Sequence, residues 1–290
     1  MPAAAAILTV GPDEKFIVLS AAIAAAAPGD TIHIKPGIYR DCAAWSTDNL
    51  TIEGDSGAII ADKICRDKGI LIITAPHATL RGLTIQGAAV AEGNGSGIRA
   101  EGLFLTIEDC TFRDNQDGIL AANNPAATLI VRHSLFEGNG ACLPGKGCAH
   151  GIYAGFVGLF RVEDSHFIAT RVGHHIKSRA RRTELVNNTI EDGPGGTSSY
   201  LVDLPNGGNL TMTGNTLSKG PLSQNPSAAI SIGEEGGKRA PGEITISGNS
   251  FVNLGAATVF VRNAGKDPAR LSDNPVKGPV RLLNGPGSAR

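Results

Sequence analysis

Tyr153, Lys177 and Asp203, three residue types that move or hold protons, recur at intervals of 24 and 26 residues. Arg179 follows Lys177 by two positions, His175 precedes it by two, and His150 and His174 stand just ahead of the same stretches. A phenol, an amine and a carboxylate around one ligand supply an acid, a base and an orienting group. β-Elimination beside a uronate needs such a set: its carboxylate must be neutralised, its C5 proton removed and the leaving oxygen protonated. The expected roles are Lys177 as base, its charge disfavoured by burial and by Arg179, and Tyr153 or His175 as acid. Arg179 would clamp the sugar carboxylate in bidentate fashion, and Asp203 would orient Lys177 or hold a cation. His150, His174 and Arg99 are expected to bind substrate. Either no cofactor is required, or Ca²⁺ is held by Asp203, Glu234 and Glu235.

Residues so far apart meet only if the chain repeats itself. Cys110, Ser134, Ser165, Asn188, Asn215, Asn249 and Asn274 form one slot, which Leu83 extends upstream. Three residues before the slot stand Ile107, Val131, Val162, Leu185, Met212, Ile246 and Leu271. Two residues after it stand Phe112, Phe136, Phe167, Ile190, Leu217, Phe251 and Val276. Both columns are wholly apolar. A period near 25 residues with alternating apolar positions and Asn/Gly-rich turns predicts a solenoid of short parallel strands, a right-handed parallel β-helix. A small polar residue in the slot can hydrogen-bond from coil to coil and satisfy buried turn amides. Residues 13–27 read as an amphipathic capping helix with Phe16, Leu19 and Ile23 on one face, and Thr31–Ile34 as the first strand. No linker interrupts the pattern, so residues 1–290 are expected to form one domain.

A second apolar column, Ile98, Ile119, Ile152, Ile176, Val202, Ile232 and Val259, fixes a second face. The residue after each then points to solvent: Arg99, Leu120, Tyr153, Lys177, Asp203, Gly233 and Phe260. This register sets Tyr153, Lys177 and Asp203 on consecutive coils. Arg161, Arg181, Arg182 and Arg262 read as ordinary surface charge, and His133 and His166 as turn residues.

The chain of 290 residues is 41% hydrophobic and 18% charged, with a formal net charge of −1 and 4% aromatic residues. Near-zero charge and few aromatics argue against nucleic-acid binding, and no apolar run is long enough to span a bilayer. Cys42 with Cys65, and Cys142 with Cys148, read as two disulfides; a metal site is the rival, but neither pair has a CxxC or Cys/His pattern. Cys110 reads as a buried small residue. No Lys or Arg precedes Lys15, so the N-terminus lacks the basic stretch of an export signal. The disulfides favour a signal already removed, and hence a periplasmic or secreted monomer.

With these coils, the sequence resembles bacterial right-handed parallel β-helix proteins of the pectate-lyase-like superfamily over nearly its whole length. The stretch His174-His175-Ile176-Lys177-Ser178, followed by Asn188-Thr189, is similar to a Lys-Ser…Asn-Thr segment of alginate and chondroitin lyases. That resemblance implies a general-base role for Lys177 and an acidic polysaccharide as partner. The spacing to Asn188 differs from theirs, and their glutamate-rich calcium motif is absent. Two other readings stay open. One is a glycoside hydrolase using Asp203 with Glu234 or Glu235; the other is a glycan-binding module without chemistry.

Overall fold

The slot residues do what their chemistry predicts, and the fold is built around them. In the computed structural model, which describes residues 4–236 and 242–290, each backbone N–H in the slot donates to the next side chain along. Cys110 N donates to Ser134 Oγ at 3.2 Å, and Ser134 N to Ser165 Oγ at 3.1 Å. Ser165 N, Asn188 N, Asn215 N and Asn249 N continue the series onto Asn188, Asn215, Asn249 and Asn274 at 2.9–3.0 Å. Each turn amide buried at this corner is thereby satisfied without water.

The ladder locks the register of parallel sheets on either side of it. A 12-stranded sheet, here called the long sheet, carries the column Ile107, Val131, Val162, Leu185, Met212, Ile246 and Leu271 in mutual register. A 10-stranded sheet carries Phe112, Phe136, Phe167, Ile190, Leu217, Phe251 and Val276. Phe112, Phe136 and Phe167 stack at 4.7 and 4.6 Å, close to the ~4.8 Å step between strands. The third sheet, also 10-stranded, is the site sheet; Ile98, Ile119, Ile152, Ile176 and Val202 line its inner face. All three apolar columns meet in one continuous core.

Four expectations need correction. The solenoid begins one strand earlier than predicted, at Ile7–Val10, which pairs with Thr31–Ile34. The helix is Leu19–Ala25, not residues 13–27, because Phe16 bridges Val10 and Gly11 N is bonded to Phe16 O. Val18 has no capping group, so the carboxylate of Asp41 accepts from Ser20 N at 2.7 Å in its place. Leu19, Ala22 and Ile23 are the helix residues that close over the core.

The third correction concerns the site sheet's last strands, whose register lies two residues from the expected one. Val202 pairs with Ile230 and Ile230 with Val261, so these two close the column in place of Ile232 and Val259. The row on the sheet's outer side therefore runs Asp203, Ser231, Arg262 in place of Gly233 and Phe260, with Asp203 and Ser231 buried. Phe260 is buried and stacks on Phe251 at 5.2 Å. Alternating apolar residues at 228–232 and 258–261 fit both registers, and packing against Phe251 decides between them. The fourth concerns His166, which lies in strand His166–Ile168 rather than in a turn, with its ring reaching Glu191 at 2.9 Å. Cys42–Cys65 and Cys142–Cys148 form disulfides, with Cα atoms 5.6 and 4.3 Å apart, and Cys110 is free and buried. No helix is long and apolar enough to cross a membrane among the described residues.

Candidate active site

Three successive site-sheet strands, Ile152–Ala154, Ile176–Ser178 and Val202–Leu204, carry the predicted row. Tyr153 pairs with Lys177 and Lys177 with Asp203 in direct register. Inward Ile152, Ile176 and Val202 are fully buried, so the pleat turns the residue after each of them outward. Lys177 Nζ lies 5.7 Å from the Tyr153 ring centroid, a cation–π distance, and 3.7 Å from Asp203 Oδ2. Arg179 Nε donates to the Tyr153 hydroxyl at 2.7 Å, and its NH1 donates to Asn206 Oδ1.

The loop after strand Ala228–Ile232 completes the cluster. Glu235 Oε1 lies 3.5 Å from Lys177 Nζ, and Oε2 lies 2.6 Å from Arg179 NH2. Glu234 receives the Tyr200 hydroxyl at 2.9 Å and sits 2.9 Å from Arg262 Nε. The three carboxylates expected to hold calcium are therefore turned to cationic side chains, Asp203 and Glu235 to the shared Lys177 and Glu234 to Arg262. Among the described residues no group of three or more His, Cys, Asp or Glu side chains gathers as a metal cage.

The histidines divide in a way the alternation rule did not foresee. His175 was expected beside Lys177 on the outer face, but it is fully buried. Its Nδ1 meets Thr170 Oγ1 at 2.7 Å and its Nε2 meets Asp192 Oδ1 at 3.1 Å. It stands at the corner ahead of its strand, where the two-residue alternation does not apply. A second polar ladder occupies that corner, with Ala88 N on Asn115 Oδ1 and Asn115 N on Asn139 Oδ1. Asp192 Oδ2 accepts from Gly220 N at 2.8 Å in the same corner. His175 belongs to this structural network and cannot reach a bound glycan. His150, expected to bind substrate, is also buried, beneath Tyr153 and His174. His174 is the histidine that joins the site, with Nε2 3.4 Å from Asp203 Oδ2. Arg99 lies in the same outward row two strands upstream of Tyr153, 3.5 Å from Glu101, outside the cluster.

Burial splits the acids of the site. Asp203 is pushed up to about 7 by burial, partly offset by Lys177 and reinforced by Glu235. Partial burial also pushes Glu235 upward, but the hydrogen bond from Arg179 and the charge of Lys177 outweigh it and hold it below the usual range. Burial forces His174 down to about 3, with Lys177 and Lys219 adding to the effect, so the ring is neutral. A carboxyl that titrates near neutrality beside one held ionised is a pairing found where protons are moved. Sequence reasoning missed Tyr200 and Asn206, which stand on loops without a repeat to mark them, and read Arg262 as ordinary surface charge, whereas the corrected register brings it beside Glu234.

A family model described as a right-handed β-helix region matches residues 38–156. No curated protein sequence matches the chain. Pectate lyase Pel9A superposes with a TM-score of 0.64 at 15% identity, over 99% of this chain and 79% of that one. The pectin methylesterase of Aspergillus niger gives 0.54 at 11% identity, over 99% and 92%. The catalytic unit of a GH87 α-1,3-glucanase from Streptomyces thermodiastaticus strain HF3-3 gives 0.52 at 15%, over 99% and 66%. At these identities the likeness is one of winding, and by fold the chain is a right-handed parallel β-helix.

Proposed function

We propose that this chain is a carbohydrate-active β-helix that cleaves an acidic, uronate-containing glycan by β-elimination. The observation that carries the reading is the Glu235 carboxylate, held jointly by Lys177 and Arg179 beside the Tyr153 phenol. That is a built anion site next to an acid–base group, and a uronate carboxylate taking Glu235's place would be neutralised there. Lying between two carboxylates, Lys177 is better placed to bind the anion than to act as the base first expected. Asp203, near 7, takes the base role, and Tyr153 protonates the leaving oxygen. Two disulfides fit a periplasmic or secreted setting, where such glycans are met. The test is incubation with alginate, pectate and glycosaminoglycans, following absorbance of the unsaturated product. Release that is lost in Tyr153→Phe and Arg179→Ala supports the reading; no product from any of these polymers ends it.

A hydrolase remains the second reading, favoured by one observation. Asp203 and Glu235 are pushed in opposite directions around the same lysine, as an acid and its ionised partner would be. Reducing-end release without an unsaturated product, lost in Glu235→Gln, would select it.

A further inference from the structure

We propose that His174 is a positioning residue, a permanent Nε2–H donor to Asp203 whose tautomer is imposed by the main chain of the next coil. The inference deepens the proton-transfer reading above and rests on it only for the role of Asp203.

The argument starts from a backbone amide. Tyr200 N–H donates to His174 Nδ1 at 3.1 Å, so that nitrogen offers its lone pair and carries no proton. A neutral imidazole keeps one N–H, which must then be on Nε2. One coil earlier the arrangement repeats: His174 N–H donates to His150 Nδ1 at 3.0 Å. The rings of His150, His174 and Tyr200 stack at 4.8 and 5.3 Å and are nearly parallel, which fixes their orientation. Forming the imidazolium would set an N–H against the Tyr200 N–H. Lys177, Lys219 and His175 also face His174 and oppose its charge, as burial does. The ring thus donates at all working pH values and is not a switch.

Its Nε2 lies 3.4 Å from Asp203 Oδ2, the same oxygen that Lys177 approaches at 3.7 Å. Lys177, Arg179, Glu234 and Glu235 are the other charged groups that bear on Asp203. His174 alone among these neighbours offers a hydrogen without bringing a charge that varies with pH.

Nitrogen-15 spectra of the full chain between pH 5 and 8 read the tautomer directly. His150 and His174 should both show Nε2–H and neither should titrate. His174→Asn keeps an acceptor for the Tyr200 amide but lacks the Nε2–H, so the Asp203 carboxyl, followed by carbon-13 shift, should titrate at least ~0.5 pH unit higher. His174→Gln, with an amide N–H near the Nε2 position, should move that midpoint back toward wild type. An Nδ1–H tautomer, an imidazolium forming above pH 5, or an unchanged midpoint in His174→Asn would overturn the proposal. If the rings and the midpoint behave as expected and no glycan is cleaved, the elimination reading fails while this assignment stands.

Discussion

The outer faces of the long sheet and the site sheet use the same strand spacing and similar residues to opposite ends. On the long sheet Glu53, Arg81, Glu108, Arg132 and Glu163 lie on consecutive coils, alternating in sign. Arg81 meets Glu108 at 2.7 Å and Arg132 meets Glu163 at 2.8 Å, and the carboxyls of Glu108 and Glu163 are held below their usual range, first by hydrogen bonds from Arg81 and Arg161. Every charge there has a neighbour of opposite sign in register. On the site sheet the row Tyr153, Lys177, Asp203 brings unlike groups together, and Asp203 and Asp117 are both buried and pushed up to about 7. The difference teaches that matched ladders secure the coil, whereas mismatched, buried charge marks the site proposed for chemistry.

The sharpest way to break this contrast is to remove one arginine from each face. Arg179→Ala should lower kcat/KM on a uronate polymer by about 10²-fold or more, with the far-ultraviolet circular dichroism unchanged. Arg132→Ala should leave turnover within about twofold, since it touches nothing beyond its own ladder. Equal losses from both variants would erase the distinction.

Asp203→Asn sharpens the comparison through stability. A carboxyl raised to about 7 binds its proton in the folded chain through the range in which the unfolded chain has lost it. Its contribution therefore falls as pH rises from about 4 to 7. The substitution should abolish turnover yet raise stability on the order of 2 kcal/mol at pH 8, with no gain at pH 4, as read by urea unfolding. In the wild type, turnover that needs ionised Asp203 should rise with pH through about 7. A destabilised Asn variant would show that the carboxyl is structural.

The same contrast explains what was legible in the sequence. The slot from Cys110 to Asn274 and its two flanking apolar columns could be read because each position faces a closed interior that admits few residue types. Tyr153, Lys177 and Asp203 could be placed because Ile152, Ile176 and Val202 fix their pleat. His175 was misplaced because it stands at a corner, where a polar ladder ending at Asp192 overrides alternation. Arg262 was read as ordinary surface charge because Ile230 and Ile232 are equally apolar, and only packing of Phe260 on Phe251 chooses between them. Glu234 and Glu235 were singled out, but a loop has no repeat from which their cation partners could be inferred.

Glu235→Gln tests the site's anion-binding half. Removing the carboxylate that Lys177 and Arg179 now share should tighten binding of an acidic oligosaccharide about fivefold, because the competent site no longer has to expel its own loop. Isothermal titration with an acidic and a neutral oligosaccharide reads this, and the neutral one should not respond. Weaker acidic binding would make Glu235 a ligand for the sugar instead of its stand-in.

The smallest effect belongs to the long sheet. Arg132 is partly exposed and lies 2.8 Å from Glu163 and 3.5 Å from Glu108. Water screens such pairs and two long side chains lose freedom in making them, so Arg132→Met should cost about 0–1 kcal/mol. Because these are partly exposed charges in a row, added salt should reduce that cost further. The loss should then be larger at low ionic strength than at 1 M salt, in denaturant unfolding followed by circular dichroism. A cost that salt leaves unchanged would mean that Arg132 acts through the packing of its aliphatic stem. The ladder would then be held by contact, and its alternation of sign would serve mainly to keep like charges off adjacent strands.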